Sequence, residues 1–369
     1  MKRAAHTHRR IIIYFLSIIS ILVIVGLVSI YSASSVFALE RYGSASYYVH
    51  RQCYGLIISI IVGILCACIP YTYFRFGAPL FFITTLIATV LPLIASRYGT
   101  TVHGSTRWLT LGPYAIQPSE FLKVAVILML ARLLNNQRGT LYTVRHYTSM
   151  GIIIISSAII MLIQPDFGQA VLVTGTSICM ILITLPHLKT LAISSGIGAA
   201  AAILLIVTKP YRLKRILTFL NPWDDPQGAG FQIIQSFIAL GSGGITGIGI
   251  GKSHQKFFYL PMQHTDFIFP IIAEETGFIG SLFVITLFIG LLYTGYTLAW
   301  SRKDTFSLLT IFGFITMISL QAIINLAVVT GLAPTKGIGL PLISYGVSSL
   351  LAHGCIVGII VSCAKNRLS

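Results

Sequence analysis

The sequence predicts an all-α polytopic membrane protein. It reads as one membrane domain over residues 1–369, with about ten transmembrane helices, cytoplasmic termini and one large external loop, 209–266, between the seventh and eighth helices. Three observations lead there. The chain is 55% hydrophobic and only 9% charged, with a mean hydropathy of +0.87, whereas soluble domains carry about 25% charge. Apolar windows of the roughly 20 residues that a hydrocarbon core demands recur along its length. Lys and Arg number 25 against 9 Asp and Glu, yet most of these cations lie between apolar runs rather than gathered on one face or in one basic tail, which argues against nucleic acid as a partner. The same figures exclude a water-soluble enzyme, a disordered chain and a disulfide-stapled secreted module.

The ten windows are 11–32, 54–72, 77–95, 119–134, 148–164, 167–186, 189–208, 267–299, 305–332 and 339–363. No small-residue cleavage site closes the first, so it is read as a retained helix rather than a signal peptide, preceded by a basic cytoplasmic tail over 1–10. Thirteen cations fall in the termini and the connections on their side, among them Arg9, Arg10, Arg75, Arg132, Arg138, Arg145, Arg302 and Lys303. The opposite short loops hold five: Arg41, Arg51, Arg97, Arg107 and Lys336. Because cytoplasmic loops are enriched in Lys and Arg, the richer side is the cytoplasmic one.

On that map eight of the nine acids, Glu40, Glu120, Asp166, Asp224, Asp225, Asp266, Glu274 and Glu275, fall in external loops or at outer helix ends, and only Asp304 is cytoplasmic. Chemistry done with carboxylates is therefore done at the outer face. That face has no ATP or nucleotide sugar, so synthesis there needs a donor already activated and delivered in the membrane. The six cysteines lie mostly inside apolar spans without a Cys-x-x-Cys pair and read as packing residues. The nine histidines form no cluster of metal-ligand spacing, and neither a metal nor a cofactor is expected.

Five clusters remain. The run 241–253, GSGGITGIGIGKS, ends like a phosphate-binding loop, but the Walker pattern needs a glycine where Thr246 stands; a flexible or re-entrant loop packed on the helices is the better reading. GSTRW at 104–108 and QPSEFLK at 117–123 carry Arg107, Trp108, Glu120 and Lys123. Pro118, Ser119 and Glu120 suit a helix start, and Glu120 and Lys123 form an i, i+3 pair. An ionisable group a turn inside a span by default faces a polar cavity, so Lys123 is either a satisfied ion pair or functional; Trp108 suits an interfacial belt equally well. Asp166 in QPDFG, 164–168, reads foremost as a turn residue. Asp266 in PMQHTDFIF, 261–269, precedes the adjacent Glu274 and Glu275. At about 100° per residue, Glu274 lies on the side of Asp266 and Glu275 opposite. Asp266 could serve as an N-cap, but Thr265 could do so too, and three acids at the head of a membrane helix are costly; function is favoured. Finally, TGLAPTKGIGLPLISYG at 330–346 is too rich in Gly and Pro for a regular helix, and irregular backbone at membrane depth is tolerated only when buried in protein or lining a cavity. Its one charge, Lys336, reads as a headgroup anchor or a phosphate contact.

Together these segments, with NPWDDPQGAGFQIIQSFIALGSGG, KFFYLP, AEETGFIG and TKGIGLPLISYG, resemble the SEDS (shape, elongation, division and sporulation) family over about 11–363. The run GIGIGKSHQKFFYLP and the PTKG before the final helix are more similar to its FtsW branch of peptidoglycan glycosyltransferases than to its RodA branch. Two departures stand out: Val347 follows Gly346 where the family has two glycines, and Asn221 replaces an aspartate. The resemblance implies polymerisation of lipid II into glycan strands at the outer face of the bacterial cytoplasmic membrane, at the division septum. It also implies a class B penicillin-binding transpeptidase and other division proteins as partners. It matches the family's catalytic aspartate to Asp266 and its functionally sensitive lysine to Lys123. Asp266 would then deprotonate the acceptor 4-hydroxyl, while Lys123, Arg107, Arg215 or Lys336 stabilises the departing diphosphate, with Trp108, Glu120 and Glu274 as further substrate-site candidates. A flippase for lipid-linked precursors and a non-catalytic scaffold of the division complex are the competing classes. The first would spread charge through the bilayer and over both faces, and the second would have no use for a cavity lysine and aspartate.

Overall fold

A computed structural model describes residues 2–94, 99–102, 105–111, 114–135, 144–184, 215, 217–228, 230–255, 263–335 and 337–365. Ten α-helices lie among them: α1 (Lys2–Tyr42), α2 (Tyr47–Cys68), α3 (Tyr71–Ile94), α4 (Pro118–Asn135), α5 (Val144–Ile163), α6 (Phe167–Thr184), α7 (Phe231–Ser242), α8 (Ile268–Trp300), α9 (Thr305–Val329) and α10 (Val347–Lys365). Eight of the described helices are long and apolar enough to cross a membrane. α4 matches the expected span 119–134 but carries Glu120, Lys123 and Arg132 in only 18 residues. The expected span 189–208 lies outside the described residues.

The structure revises several boundaries. The basic segment from Lys2 is helical and continuous with α1, since neither a proline nor a left-handed residue interrupts the chain before Gly43. There Gly43, at φ +69°, supplies the left-handed residue that commonly ends a helix. The last span is shorter than 339–363: its Gly- and Pro-rich half stays irregular until Val347. The segment 209–266, expected as one loop between spans, contains α7, a 12-residue apolar helix. The all-α core also carries one small antiparallel sheet, β1 (Gly99–Val102), β2 (Ser105–Leu111) and β3 (Tyr114–Ile116), between α3 and α4.

α4 and α9 sit at the centre. α9 packs against α4, α6, α8 and α10, and buried residues occur on every side of α4. α2 and α10 meet along small residues spaced by four: Gly55, Ser59 and Gly63 on α2 face Val347, Gly354 and Gly358, and a Cβ on Gly358 would come within 2.3 Å of the Gly63 carbonyl. Such small-residue seams let membrane helices approach closely where no hydrophobic force joins them. They also explain Val347, whose side chain fills the space that the missing Cβ of Gly55 leaves, 3.0 Å from where that Cβ would lie.

α8 breaks at Gly277, at φ 68° and ψ −163°. The glycine-rich run after α7 fills the break as a re-entrant loop. Ile248 and Gly249 N–H donate to the Glu274 and Glu275 carbonyls, and the Gly244 and Ile245 carbonyls accept from Phe278 and Ile279 N–H. Backbone groups released by the break are thus paired inside the protein, as the bilayer requires. The side chains of both glutamates belong to this joint: Ser253 Oγ and His254 N–H donate to Glu274, and Ser32 Oγ donates to Glu275. A Cβ on Gly277 would lie 2.3 Å from Gly247 N, so Gly277→Ala is expected to cost about 1–3 kcal/mol, read as a lower unfolding temperature in detergent; an unchanged transition would show that the loop adapts freely.

Candidate functional site

Asp266 lies in the turn 263–267 that precedes α8. It does not cap that helix: the N-cap position falls on Phe267, without a side-chain hydrogen bond. The turn is tied to the irregular 337–346 segment. Asn325 Nδ2 on α9 donates to the Asp266 carbonyl and to the Ile338 carbonyl, each at 2.8 Å. One turn earlier Gln321 Nε2 donates to the Gly339 carbonyl at 3.0 Å. Ser344 Oγ donates to the Thr265 carbonyl at 2.6 Å and accepts from Leu340 N–H, while Tyr345 N–H reaches the His264 carbonyl. Of two polar side chains inside an apolar helix, Asn325 therefore holds the Asp266 backbone directly and Gln321 holds the segment packed against it. The carboxyl lies against Gly337, whose absent Cβ would sit 3.4 Å from Oδ2.

Asp266 is half-buried. Burial pushes its carboxyl up to about 6, opposed by the positive charges of Arg107 and Arg215 and reinforced by the negative charge of Asp166. His264, packed among Phe37, Tyr48 and Tyr345, is pushed down to about 4 by burial and is neutral at pH 7.

Arg107 owes its position to a β-bulge. In the β1–β2 ladder Thr100 pairs with Trp108 and Thr101 with Thr106, so Arg107 is the extra residue, and bulges re-aim the side chain they carry. Arg107 Nη1 meets Asp166 Oδ2 at 3.0 Å. The Asp166 carboxylate also accepts from Gln117 Nε2 and, at the start of α6, from Gln169 N–H at 3.2 Å. Asp166 is thus a helix-start residue, as turn chemistry suggests, and also the partner of Arg107. Burial is the dominant cause that moves its carboxyl above the ordinary range, against the pull of Arg107. Arg107 Nε and Trp108 Nε1 are buried donors without a hydrogen-bond acceptor among the described residues, and such donors call for a partner.

Behind this layer Lys123, 1% exposed, pairs with Glu120 at 2.9 Å, as the i, i+3 spacing anticipates. Gln169 Nε2 donates to Glu120 at 2.9 Å, so Gln169 touches both Glu120 and Asp166. His353 on α10 lies within electrostatic reach of the pair and anchors its Nδ1 at the Ser349 carbonyl.

The structure therefore brings Asp266, Arg107 and Arg215 into one electrostatic neighbourhood, with Trp108 beside Arg107. Arg215 is exposed and donates to the Thr335 carbonyl at 3.1 Å. Lys123 and Glu120 form an inner pair linked to the site through Gln169. Glu274, placed near Asp266 by helical arithmetic, instead holds the re-entrant loop, because the chain at Asp266 is a turn and the helical angle does not extend to it. Lys336 lies outside the described residues. Sequence reasoning did not single out Gln169, Gln321, Asn325, Ser344 and His353; Gln321 and Asn325, four apart in an apolar span, carried the signal that could have found them.

Comparison with known proteins agrees with this architecture. The profile of the FtsW/RodA/SpoVE family, described as cell cycle protein, matches residues 12–368. Stage V sporulation protein E of Bacillus subtilis is 38% identical over 347 residues, 94% of each chain. The probable peptidoglycan glycosyltransferase FtsW of Trichlorobacter lovleyi is 38% identical over 340 residues, 91% of this chain and 88% of that one. Among solved structures, a chain from a peptidoglycan synthase complex that coordinates polymerisation and crosslinking superposes with a TM-score of 0.78 at 28% identity, over 96% of this chain and 97% of that one. RodA of Thermus thermophilus shares the fold at a TM-score of 0.73 and 24% identity, with the same coverage. With a matching family profile over nearly its full length and the re-entrant architecture of a multi-pass membrane protein, the chain belongs to the FtsW/RodA/SpoVE family of cell cycle proteins.

Proposed function

We propose that this chain is a peptidoglycan glycosyltransferase that polymerises lipid II at the outer face of the cytoplasmic membrane during septal wall synthesis. One observation carries the reading: a half-buried aspartate, with its carboxyl near 6, stands in the field of two arginines at the mouth of a membrane helix. The Trichlorobacter lovleyi relative is named a probable peptidoglycan glycosyltransferase, and one structural neighbour comes from a peptidoglycan synthase complex, which supports the substrate class. Glycosyl transfer from a diphosphate needs a base at the acceptor hydroxyl and positive charge at the leaving group. In this reading Asp266 takes the proton from the acceptor 4-hydroxyl as that oxygen attacks the donor anomeric carbon. The bond to the lipid diphosphate breaks, and Arg107 and Arg215 stabilise the departing charge, aided by Trp108. Lys336 is retained as a further phosphate contact. Lys123 and Glu120 act from behind through Gln169 and Asp166, which set Arg107. The reaction uses no cofactor in this scheme, the termini are cytoplasmic, and a class B penicillin-binding transpeptidase crosslinks the product.

The direct test supplies lipid II to the purified protein, with and without its transpeptidase. Glycan chains longer than a dimer are expected; precursor crossing liposomes without polymer would establish a flippase instead.

A base with a carboxyl near 6 is ionised above that pH and protonated below it. The rate of polymerisation is therefore expected to rise with pH through about 6, falling about tenfold per unit on the acid side. Arg107→Gln removes a charge that favours the carboxylate, so the midpoint should move upward; a midpoint that stays or falls would remove Arg107 from the field at Asp266.

A further inference from the structure

A second feature adjoins the Asp266 turn on its other side. Six ring and guanidinium groups gather where α1 ends and α2 begins, Phe37, Arg41, Tyr42, Tyr47, Tyr48 and Arg51, with His264 and Tyr345 packed beside them. The Tyr42 and Tyr47 rings stack at 3.9 Å, Tyr47 meets Tyr48 edge-on at 5.4 Å, and Tyr48 packs at 4.3 Å on His264, two residues before Asp266. His264 in turn touches Tyr345, whose N–H holds the His264 carbonyl. Arg41 lies over the Phe37 and Tyr42 rings at 5.8 and 6.0 Å, and Arg51 lies over Tyr47 at 5.6 Å while donating to its hydroxyl. The cluster opens outward: Tyr42 is 43% exposed, and Glu40 and Arg41 are exposed beside it.

Tyrosines at a membrane surface ordinarily form a belt. A belt spreads single rings around the perimeter, whereas these rings pack on one another and lead inward, ring by ring, to the Asp266 turn. Aromatic faces carry partial negative charge and attract the weakly positive C–H faces of sugars and the planes of guanidinium groups. Guanidinium groups held over rings keep a fork of donors in place, suited to carboxylates.

We propose that the outer ends of α1 and α2 form a ledge that holds an acidic oligosaccharide, the sugar–peptide strand being extended at Asp266. The sugar rings lie against the outer side that the stacked Tyr42–Tyr47 pair leaves open, and Arg41 and Arg51 pair with carboxylates on the strand's peptide branches. Two cations against the single acid Glu40 give the ledge the complementary charge. The inference rests on the polymerase reading above. A site of this kind retains product between additions, so it governs strand length rather than the formation of each bond.

The test uses the full chain in nanodiscs with lipid II as the substrate, and reads both the initial consumption of lipid II and the length distribution of the glycan. Tyr42→Leu with Tyr47→Leu keeps the apolar character a belt needs and removes the rings; Arg41→Gln with Arg51→Gln removes the charge. Each pair is expected to weaken strand retention roughly tenfold, equivalent to ~1.4 kcal/mol, and so to shorten the strands while initial consumption stays close to the parent's. Tyr42→Phe with Tyr47→Phe should restore length. Unchanged lengths in the Leu and Gln variants would overturn the ledge, and so would a lowered unfolding temperature with long and short products lost in proportion. A parent protein that makes no glycan at all would remove the polymerase reading itself, and the ledge with it.

Discussion

Asp266→Asn is expected to lower the rate of glycan formation from lipid II by about 10²–10⁴, the contribution of a positioned base. The substitution keeps size and polarity, and the backbone bond from Asn325 to residue 266 does not depend on the side chain. Folding should survive, which circular dichroism and the unfolding temperature would check. Indeed, removing an acid that burial pushes to about 6 relieves a desolvation cost, so the variant should unfold no earlier than the parent at pH 7. A raised carboxyl loses stability on ionisation, so the relief is present above pH 6 and vanishes below the ordinary carboxylate range. An Asn variant that polymerises at the parent rate would refute the base assignment.

The second large effect concerns the inner pair. Glu120→Ala leaves Lys123, 1% exposed, without its 2.9 Å partner. A buried charge stripped of its partner costs about 3–5 kcal/mol. A marked drop in unfolding temperature is expected, with poor recovery from the membrane. Glu120→Gln combined with Lys123→Met removes both charges at similar volume and should recover most of the loss, since replacing a whole buried pair is often neutral. Activity in this double variant should fall far less than in Asp266→Asn, because Arg107 keeps its bond to Asp166. A stable double variant as inactive as Asp266→Asn would show that the Lys123 charge acts on the substrate directly.

Much of the fold was legible because a bilayer admits few solutions. Spans of about 20 apolar residues are visible as composition alone, and the structure returns nearly all of them with shifted ends. The ends shift for local reasons: α1 runs until Gly43 because nothing stops it earlier, and α10 starts only at Val347 because the glycines and prolines before it stay irregular. The Glu120–Lys123 pair was legible as well, since both residues lie on one turn of one helix. Glu274 was misplaced for a related reason. Angular arithmetic needs a continuous helix, and α8 starts after Asp266 and breaks at Gly277.

The sequence by itself determined that this is a multi-pass membrane protein, and the scarcity of acids singled out Asp266. Composition and local spacing carry that information, because burial in lipid penalises each charge where it stands. Which groups surround Asp266 was decided only by the tertiary structure. Arg107 reaches Asp166 across 59 positions through a bulge, and Asn325 holds the Asp266 carbonyl from 59 positions in the other direction. Contacts of that range depend on how helices pack and where a strand skips one residue, and no local pattern in the chain encodes them.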